Sequence, residues 1–469
     1  NLHGIISDGV HKEGLIEERI KSLFVGLVNL IPKKHYEKIP SFKDRVTTVK
    51  IPYVLDFNTE VAIYKNKFGE ELNLSFLPNL IEYFAKIVIS TRINSKSTII
   101  DKWLEDKSKY KEFLDENYLL LKMDIYTGKI PVWLSETDLK AFNNEIYLKE
   151  EKKLVLERAS KFHKLYLEIG GHLLYDGHAS RVLPGYNPKN KLNLIKSFGK
   201  KVGVVYCVNA IELEKNRNWG NSKEKLSKTA LQEIKKLSKQ LDIIGVAITF
   251  FSGQKLALDF IEKVEKIGFE TIVTTFIKGY PDFRSAFSQF GFIDQPKLTT
   301  NKKIIVVTGA GANNGKMFFC LTQIYHLGKE KKDAGYAKIE TFPIWNLPLD
   351  HEVNLAYEAA TADIKDYLEI DPFHKKKYKK NAVNYNRDIN AFPILKKIIT
   401  KLTSKKNYMQ KYNSPTNMGL NAAKIGIIDD TKVREAGLKE IKSRLNKFKQ
   451  SKNKQAIGRI QKIIKELNE

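Results

Sequence analysis

The stretch Ile304–Leu327, IIVVTGAGANNGKMFFCLTQIYHL, decides the fold. Ile304 to Thr308 is an apolar run of strand length, a Gly/Asn-rich turn follows, and Gly315-Lys316 opens an amphipathic helix. That is the build of a phosphate-binding loop. Backbone N–H groups without bulky side chains converge on an anion, the helix N-terminus adds partial positive charge, and a lysine supplies a full one. The match to G-x-x-x-x-G-K-[ST] is incomplete. Ala310 stands where the first glycine belongs, between Gly309 and Gly311, and Met317 stands where a Ser or Thr would hold magnesium. Two readings follow: a phosphate site formed by Gly309, Gly311, Gly315 and Lys316, or a tight strand–helix turn with no ligand. The missing hydroxyl argues against a standard P-loop ATPase in either case.

Working outward, apolar strands alternate with helices. The strands are Leu165–Ile169, Val202–Val208, Ile243–Phe250 and Thr271–Thr275, with Ile304–Thr308 the fifth. Helix Glu224–Leu241 puts Leu226, Ile234, Leu237 and Leu241 on one face, and Gln254–Ile267 is also amphipathic. This alternation predicts an α/β class, a three-layer fold around a parallel sheet, with ligands beyond the carboxyl ends of the strands. A composition change near Phe142-Asn143-Asn144, followed by a charged helix from Glu145 to His163, sets a boundary there. Residues 1–142 form one segment, 143–430 the α/β domain and 431–469 a tail.

The first segment reads as short strands Leu23–Asn29 and Arg45–Tyr53 followed by a helix, Leu77–Asn94. Its residues LFVGLVN, SFKDRVTTVKIPYVLDFNTEVAIY, FLPNLIEYFAKIVISTRIN and LLLKMDIYTGKIPVWLSE resemble the late part of the ATPase module of PrkA-type serine protein kinases, of the AAA+ class. The resemblance covers roughly residues 20–140. It implies a mostly helical lid, with Asn29 as a polar sensor of the γ-phosphate, Arg45 as a finger-type arginine and Arg92 as the sensor arginine. No Walker A or Walker B segment precedes it, so this part alone does not close around ATP; a leftover lid with structural arginines is the other reading.

The second part resembles the uncharacterised bacterial family DUF1846. The resemblance rests on NNEIYLKEEKKLVLERASKF, LYLEIGGHLLYDGHASRVLPGY, VVYCVNAIELEKNR, the Gly315-Lys316 loop, AGYAKIETFPIWNLPLDHEVNLAYEAATADIKD, IDPFH, VNYNRDINAFPIL and YNSPTNMG. It covers about residues 143–435 and implies a multi-layer α/β fold with a P-loop-like phosphate site, no settled reaction, and a further carboxyl-terminal domain that is not visible here.

Three polar constellations offer chemistry. In DGHASRVLPG, His178, Ser180 and Arg181 follow a strand and Gly170-Gly171, so the arginine can meet an anion with histidine as acid or base, or simply tie the loop down. In NLPLDHEVNLAYEAATAD, Asp350 and His351 precede a helix carrying Glu358 and Asp363. Asp350, His351 and Asp363 offer a metal or proton-transfer group, but without the i, i+4 pairing of a zinc helix. IDPFH and VNYNRD contribute Asp371, His374, Asn384, Asn386, Arg387 and Asp388, suited to a polar phosphorylated ligand or to a hydrogen-bonded core network.

Composition bounds the rest. The 469 residues are 42% apolar and 29% charged, as in globular chains. The net charge of +26 is mostly a lysine bias, since only 11 of the 80 basic residues are arginine, and arginine is the preferred reader of phosphates and bases. A nucleic-acid partner is therefore not expected. No apolar run reaches the roughly 20 residues of a membrane span, and two cysteines in so long a chain fit a cytoplasmic setting. In the tail, Leu438, Ile441, Leu445 and Phe448, then Ile457, Ile460, Ile464 and Leu467, repeat at helical spacing on either side of Ser451–Asn453. These two basic amphipathic helices pack on the body or on another subunit, giving a homo-oligomer.

The sequence thus predicts a protein binding ATP, another nucleotide or another phosphorylated metabolite. Lys316 neutralises the phosphate, Arg181 or Arg387 with Asn386 clamps it, and His178, His351 and Asp350 are the candidates for proton handling. Phosphoryl transfer or hydrolysis is the simplest chemistry. The alternatives are a metal-dependent hydrolase using the Asp/His cluster and a non-enzymatic regulatory or scaffold module.

Overall fold

The computed structural model describes residues 10–13, 16–19, 57–68, 79–92, 107–114, 118–121, 133–171, 174, 181–183, 189–216, 224–309, 314–339, 343–362, 365–421 and 430–468. The chain divides into two compact units, one of Asn1–Lys96 with Asp115–Lys129, the other of Ser97–Leu114 with Ile130–Glu469.

In the first unit, β1 (Val10–Glu13) pairs antiparallel with β2 (Ile16–Arg19). Helices α1 (Phe57–Phe68) and α2 (Leu80–Arg92) share a small core of Val61, Ile81 and Ala85. Arg92, at the end of α2, reaches buried Glu60 on α1 at 2.7 Å, and Tyr64 donates to the same carboxylate. The expected strands Leu23–Asn29 and Arg45–Tyr53, with Asn29 and Arg45, lie outside the described residues.

In the second unit, α3 (Glu136–Ala159) starts well before the expected Glu145. Ser135 caps it by accepting from the Asp138 N–H at 3.2 Å, and the helix runs through Phe142-Asn143-Asn144 unbroken. Asparagine propensity disfavours a helix interior only by fractions of a kcal/mol, too little to end it.

The strands form where short apolar runs are buried on both faces. β3 (Lys164–Ile169), β4 (Val202–Asn209) and β7 (Ile304–Gly309) are buried at every position. Helices α4 (Lys189–Ser197), α5 (Ala210–Glu214), α6 (Leu226–Ser238) and α7 (Lys255–Lys266) alternate with β5 (Ile243–Phe251) and β6 (Thr271–Thr275). After β7 come α8 (Lys316–Lys329) and β8 (Ala334–Ile339). The sequence AGYAKI of β8 carries too little apolar patterning to be foreseen; it is a strand because β3 pairs with it along its whole length. With the two-residue β11 (Gly419–Leu420) these make a seven-stranded parallel sheet, ordered β11-β8-β3-β7-β4-β5-β6.

Next to the sheet, α9 (Glu352–Ala360), the antiparallel pair β9 (Leu368–Ile370) and β10 (Val383–Tyr385), and α10 (Pro372–Tyr378) precede the long α11 (Asn386–Leu402). The tail forms α12 (Asp430–Gln450) and α13 (Lys454–Asn468), broken at the expected place. Ile441, Phe448, Ala456, Ile460 and Ile463 pack with Val353 and Ala356 of α9 in a second core. Of the two expected partners, body or another subunit, the apolar stripe meets the body, through α9. Among the described residues no helix is long and apolar enough to cross a membrane.

Candidate functional site at the carboxyl edge of the sheet

Neighbouring strands β4 and β7 send their chains opposite ways. From β4 the chain goes through α5 and α6 to β5, and from β7 it goes through α8 to β8 beyond β3. Right-handed crossovers put helices leaving in opposite directions on opposite faces, which opens a crevice between the two strand ends. The described part of the Gly/Asn-rich stretch, Gly309 with Asn314 and Gly315, sits at that crevice.

Its geometry is fixed by close contact. Gly309 ends β7 against its neighbour, so that a Cβ there would lie 2.1 Å from the Cys207 carbonyl oxygen. Gly315 has φ +72°, and a Cβ on it would lie 2.6 Å from Thr249 Oγ1. Thr249, on β5, donates to the Asn314 carbonyl at 3.0 Å and so pins the turn across β4. Gly315, at the start of α8, has no side chain with which to cap the helix, and the first N–H groups of a helix have no partner within it.

Lys316 is buried. Its Nζ donates to Asn314 Oδ1 at 2.9 Å and lies 3.6 Å from Glu168 Oε1 on β3. An ammonium only donates, so this bond fixes the Asn314 amide with its NH2 group on the other side. Among the described residues that buried Nδ2 has no partner. An unmet buried amide at the start of α8 invites a partner, since most buried polar groups are satisfied. Glu168 also accepts from the Tyr336 hydroxyl at 2.7 Å. Burial, with Glu168 beside it, pushes the Tyr336 phenol far up, so it stays a donor. Burial likewise raises the Cys207 and Cys320 thiols, which makes both inert as nucleophiles although Lys316 partly opposes the shift.

A second run of charges adjoins the first. Lys338, opposite Glu168 in the register of β8, contacts Asp388 at 2.9 Å. Burial would raise the Asp388 carboxyl, but Lys338 and Arg387 hold it below the usual range. Arg387 is half-exposed and tied to Asp366 at 3.1 Å. Asn386 accepts from the Tyr367 and Arg387 N–H groups, shaping the turn into α11.

The other expected site residues fall elsewhere. Arg181 pairs with Glu440 of α12 at 3.3 Å. His351 caps α9, its Nδ1 accepting from the Val353 N–H at 3.2 Å, and Asp350 beside it is exposed. Asp371, Asn384 and Thr416 make a buried hydrogen-bonded network: Thr416 donates to Asp371 at 2.7 Å, and Asn384 donates to Thr416 at 3.1 Å. His178, Ser180, Gly311 and Asp363 lie outside the described residues. Among the described residues no group of three His, Cys, Asp or Glu side chains could hold a metal ion.

Glu168, Tyr336 and Thr249 were not singled out from sequence. Only Glu168 carries a signal there, a lone acid inside the apolar strand KLYLEI just before Gly170-Gly171.

The family model described as "Domain of unknown function DUF1846, N-terminal" matches residues 140–468. A UPF0371 protein of Clostridium botulinum (strain Alaska E43 / Type E3) is 44% identical over 302 residues, 64% of this chain and 60% of its own length. One of Clostridium tetani is 43% identical over 334 residues, 70% of this chain and 66% of its own length. The matches therefore span about three fifths to two thirds of these relatives. With its family model covering more than half of the sequence, the chain belongs to the DUF1846 family.

Proposed function

We propose that the crevice at the end of β7 binds the phosphate group of a small phosphorylated metabolite. The observation that carries this is the buried, partnerless Asn314 Nδ2 beside the Lys316 ammonium at the uncapped start of α8. An anion there would accept from the amide and from the α8 N–H groups, and Lys316 would balance its charge. Glu168 lies 3.6 Å from Lys316 and orients it.

The proposal concerns binding, with phosphoryl transfer or hydrolysis as the chemistry that such a site would serve. Arg387 is the remaining clamp candidate, being half-exposed; Arg181 serves α12 instead. The metal-dependent alternative loses support from His351, which caps a helix. The resemblance of the first unit to a PrkA-type lid, and with it a regulatory role, stays a proposal drawn from sequence. In the structure Arg92 ties two helices together through Glu60. A cytoplasmic setting is in keeping with the free thiols of Cys207 and Cys320.

The test is thermal stabilisation by pyrophosphate and nucleotides, with and without magnesium. Lys316→Met with Glu168→Gln removes the cation while keeping an acceptor for Tyr336, so the protein still folds. This double variant should lose the stabilisation; an undiminished shift would sink the proposal.

A further inference from the structure

The residues beside the proposed phosphate site go further and specify what the phosphate is attached to. Thr249 touches Gly315, and the next residue, Phe250, has φ +57°, a conformation rarely adopted by aromatic residues. Ser252 and Gln254 brace this turn: the Ser252 N–H donates to Gln254 Oε1 at 2.8 Å, and Gln254 Nε2 donates to the Phe250 carbonyl at 3.4 Å. The Phe250 ring lies 5.1 Å, centre to centre, from Phe318 in the first turn of α8. On its other side Phe276, just past β6, meets Phe250 edge-on at 6.4 Å and is 51% exposed. An aromatic wall therefore runs from the first turn of the phosphate helix out to a solvent-facing ring. Backbone outliers held by a braced turn concentrate at ligand sites. A simple sugar phosphate has no flat apolar part to use such a wall.

We infer that the ligand is a nucleotide, its phosphates at Asn314 and Lys316 and its base stacked on Phe276. The inference rests on the phosphate site proposed above and narrows its ligand class. Base–aromatic stacking tolerates any base, so the wall selects nucleotides as a class over phosphorylated sugars.

Binding of ADP, ribose 5-phosphate and pyrophosphate to the whole chain, followed by calorimetry and thermal shift, tests it. ADP should bind more tightly than either of the others. Phe276→Ala, at an exposed position that does not support the core, should weaken ADP about tenfold and leave pyrophosphate unchanged. If ADP binds no better than pyrophosphate, or Phe276→Ala leaves ADP affinity intact, the stacking assignment falls while the phosphate site stands. If none of the three stabilises the wild-type chain, both fall. Loss of pyrophosphate binding in Phe276→Ala would also overturn the division of roles.

Discussion

The edge of β7 and the bundle of α9, α12 and α13 both bury charge, but they use it differently. In the bundle, the buried Glu358 carboxylate accepts from the Leu368 N–H at 2.8 Å and from Arg459, while Glu352 holds Arg434 at 2.6 Å and Glu440 holds Arg444 and Arg181. Apart from the Glu440–Arg444 pair within α12, these contacts tie one element to another. At β7, Lys316 is balanced by Glu168, yet among the described residues the buried Asn314 Nδ2 beside it finds no partner. The difference teaches that a buried ion pair can be spent entirely on scaffold, whereas the proposed site sets an unmet amide donor beside its pair.

The largest effect should come from breaking the bundle. Arg459→Ala leaves Glu358, which is 1% exposed, without its cation and should destabilise the second unit by about 3 kcal/mol in urea unfolding. Its stabilisation by pyrophosphate, measured on the lowered baseline, should be unchanged. A loss of ligand shift in this variant would erase the distinction between the two regions.

Gly309→Ala should come next, at about 2 kcal/mol, because its Cβ meets strand backbone that cannot retreat. Here stability and ligand shift should fall together. Asn314→Ala sharpens the contrast further. The substitution removes the unmet Nδ2 together with the Oδ1 acceptor of Lys316, which keeps Glu168 as counter-ion, so thermal stability should drop by about 1.5 kcal/mol while pyrophosphate stabilisation is largely lost. A stability loss as large as that of Arg459→Ala would instead make Asn314 a scaffold residue.

The smallest effect separates ion pairs from histidines. Burial lowers the pKa of His326 and His374 from 6.5, outweighing the Gln295 carbonyl at His326 and the Asp371 charge at His374. The unfolded chain then binds more protons than the folded one just below pH 6.5, so stability should fall as pH drops through that value towards the lowered ones. Replacing both histidines with asparagine should flatten the melting-temperature profile in that window, before carboxylate protonation begins. A slope that survives in the double variant would assign it to other groups.

Much of the α/β body was legible. Five strands lie within a residue of the expected ends because each is an apolar run bounded by turn residues, and the tail break at Ser451–Asn453 is as read. The strand β8 was not legible, since alanine, glycine and lysine become a buried strand only when β3 supplies the partner. Of the candidate site residues, Gly309, Gly315 and Lys316 meet at one place, whereas Arg181 and His351 serve helices.

By itself the sequence determined the layer order, the position of the glycine turn and the lysine that follows it, because local pattern and backbone freedom are properties of neighbours along the chain. Only the tertiary structure decided that Glu168 from β3 faces that lysine, that Thr249 from β5 holds the Asn314 carbonyl, and that Phe250 meets both Phe318 and Phe276. Those contacts join residues far apart in sequence, and their meeting is set by strand order and register, which composition and spacing do not encode.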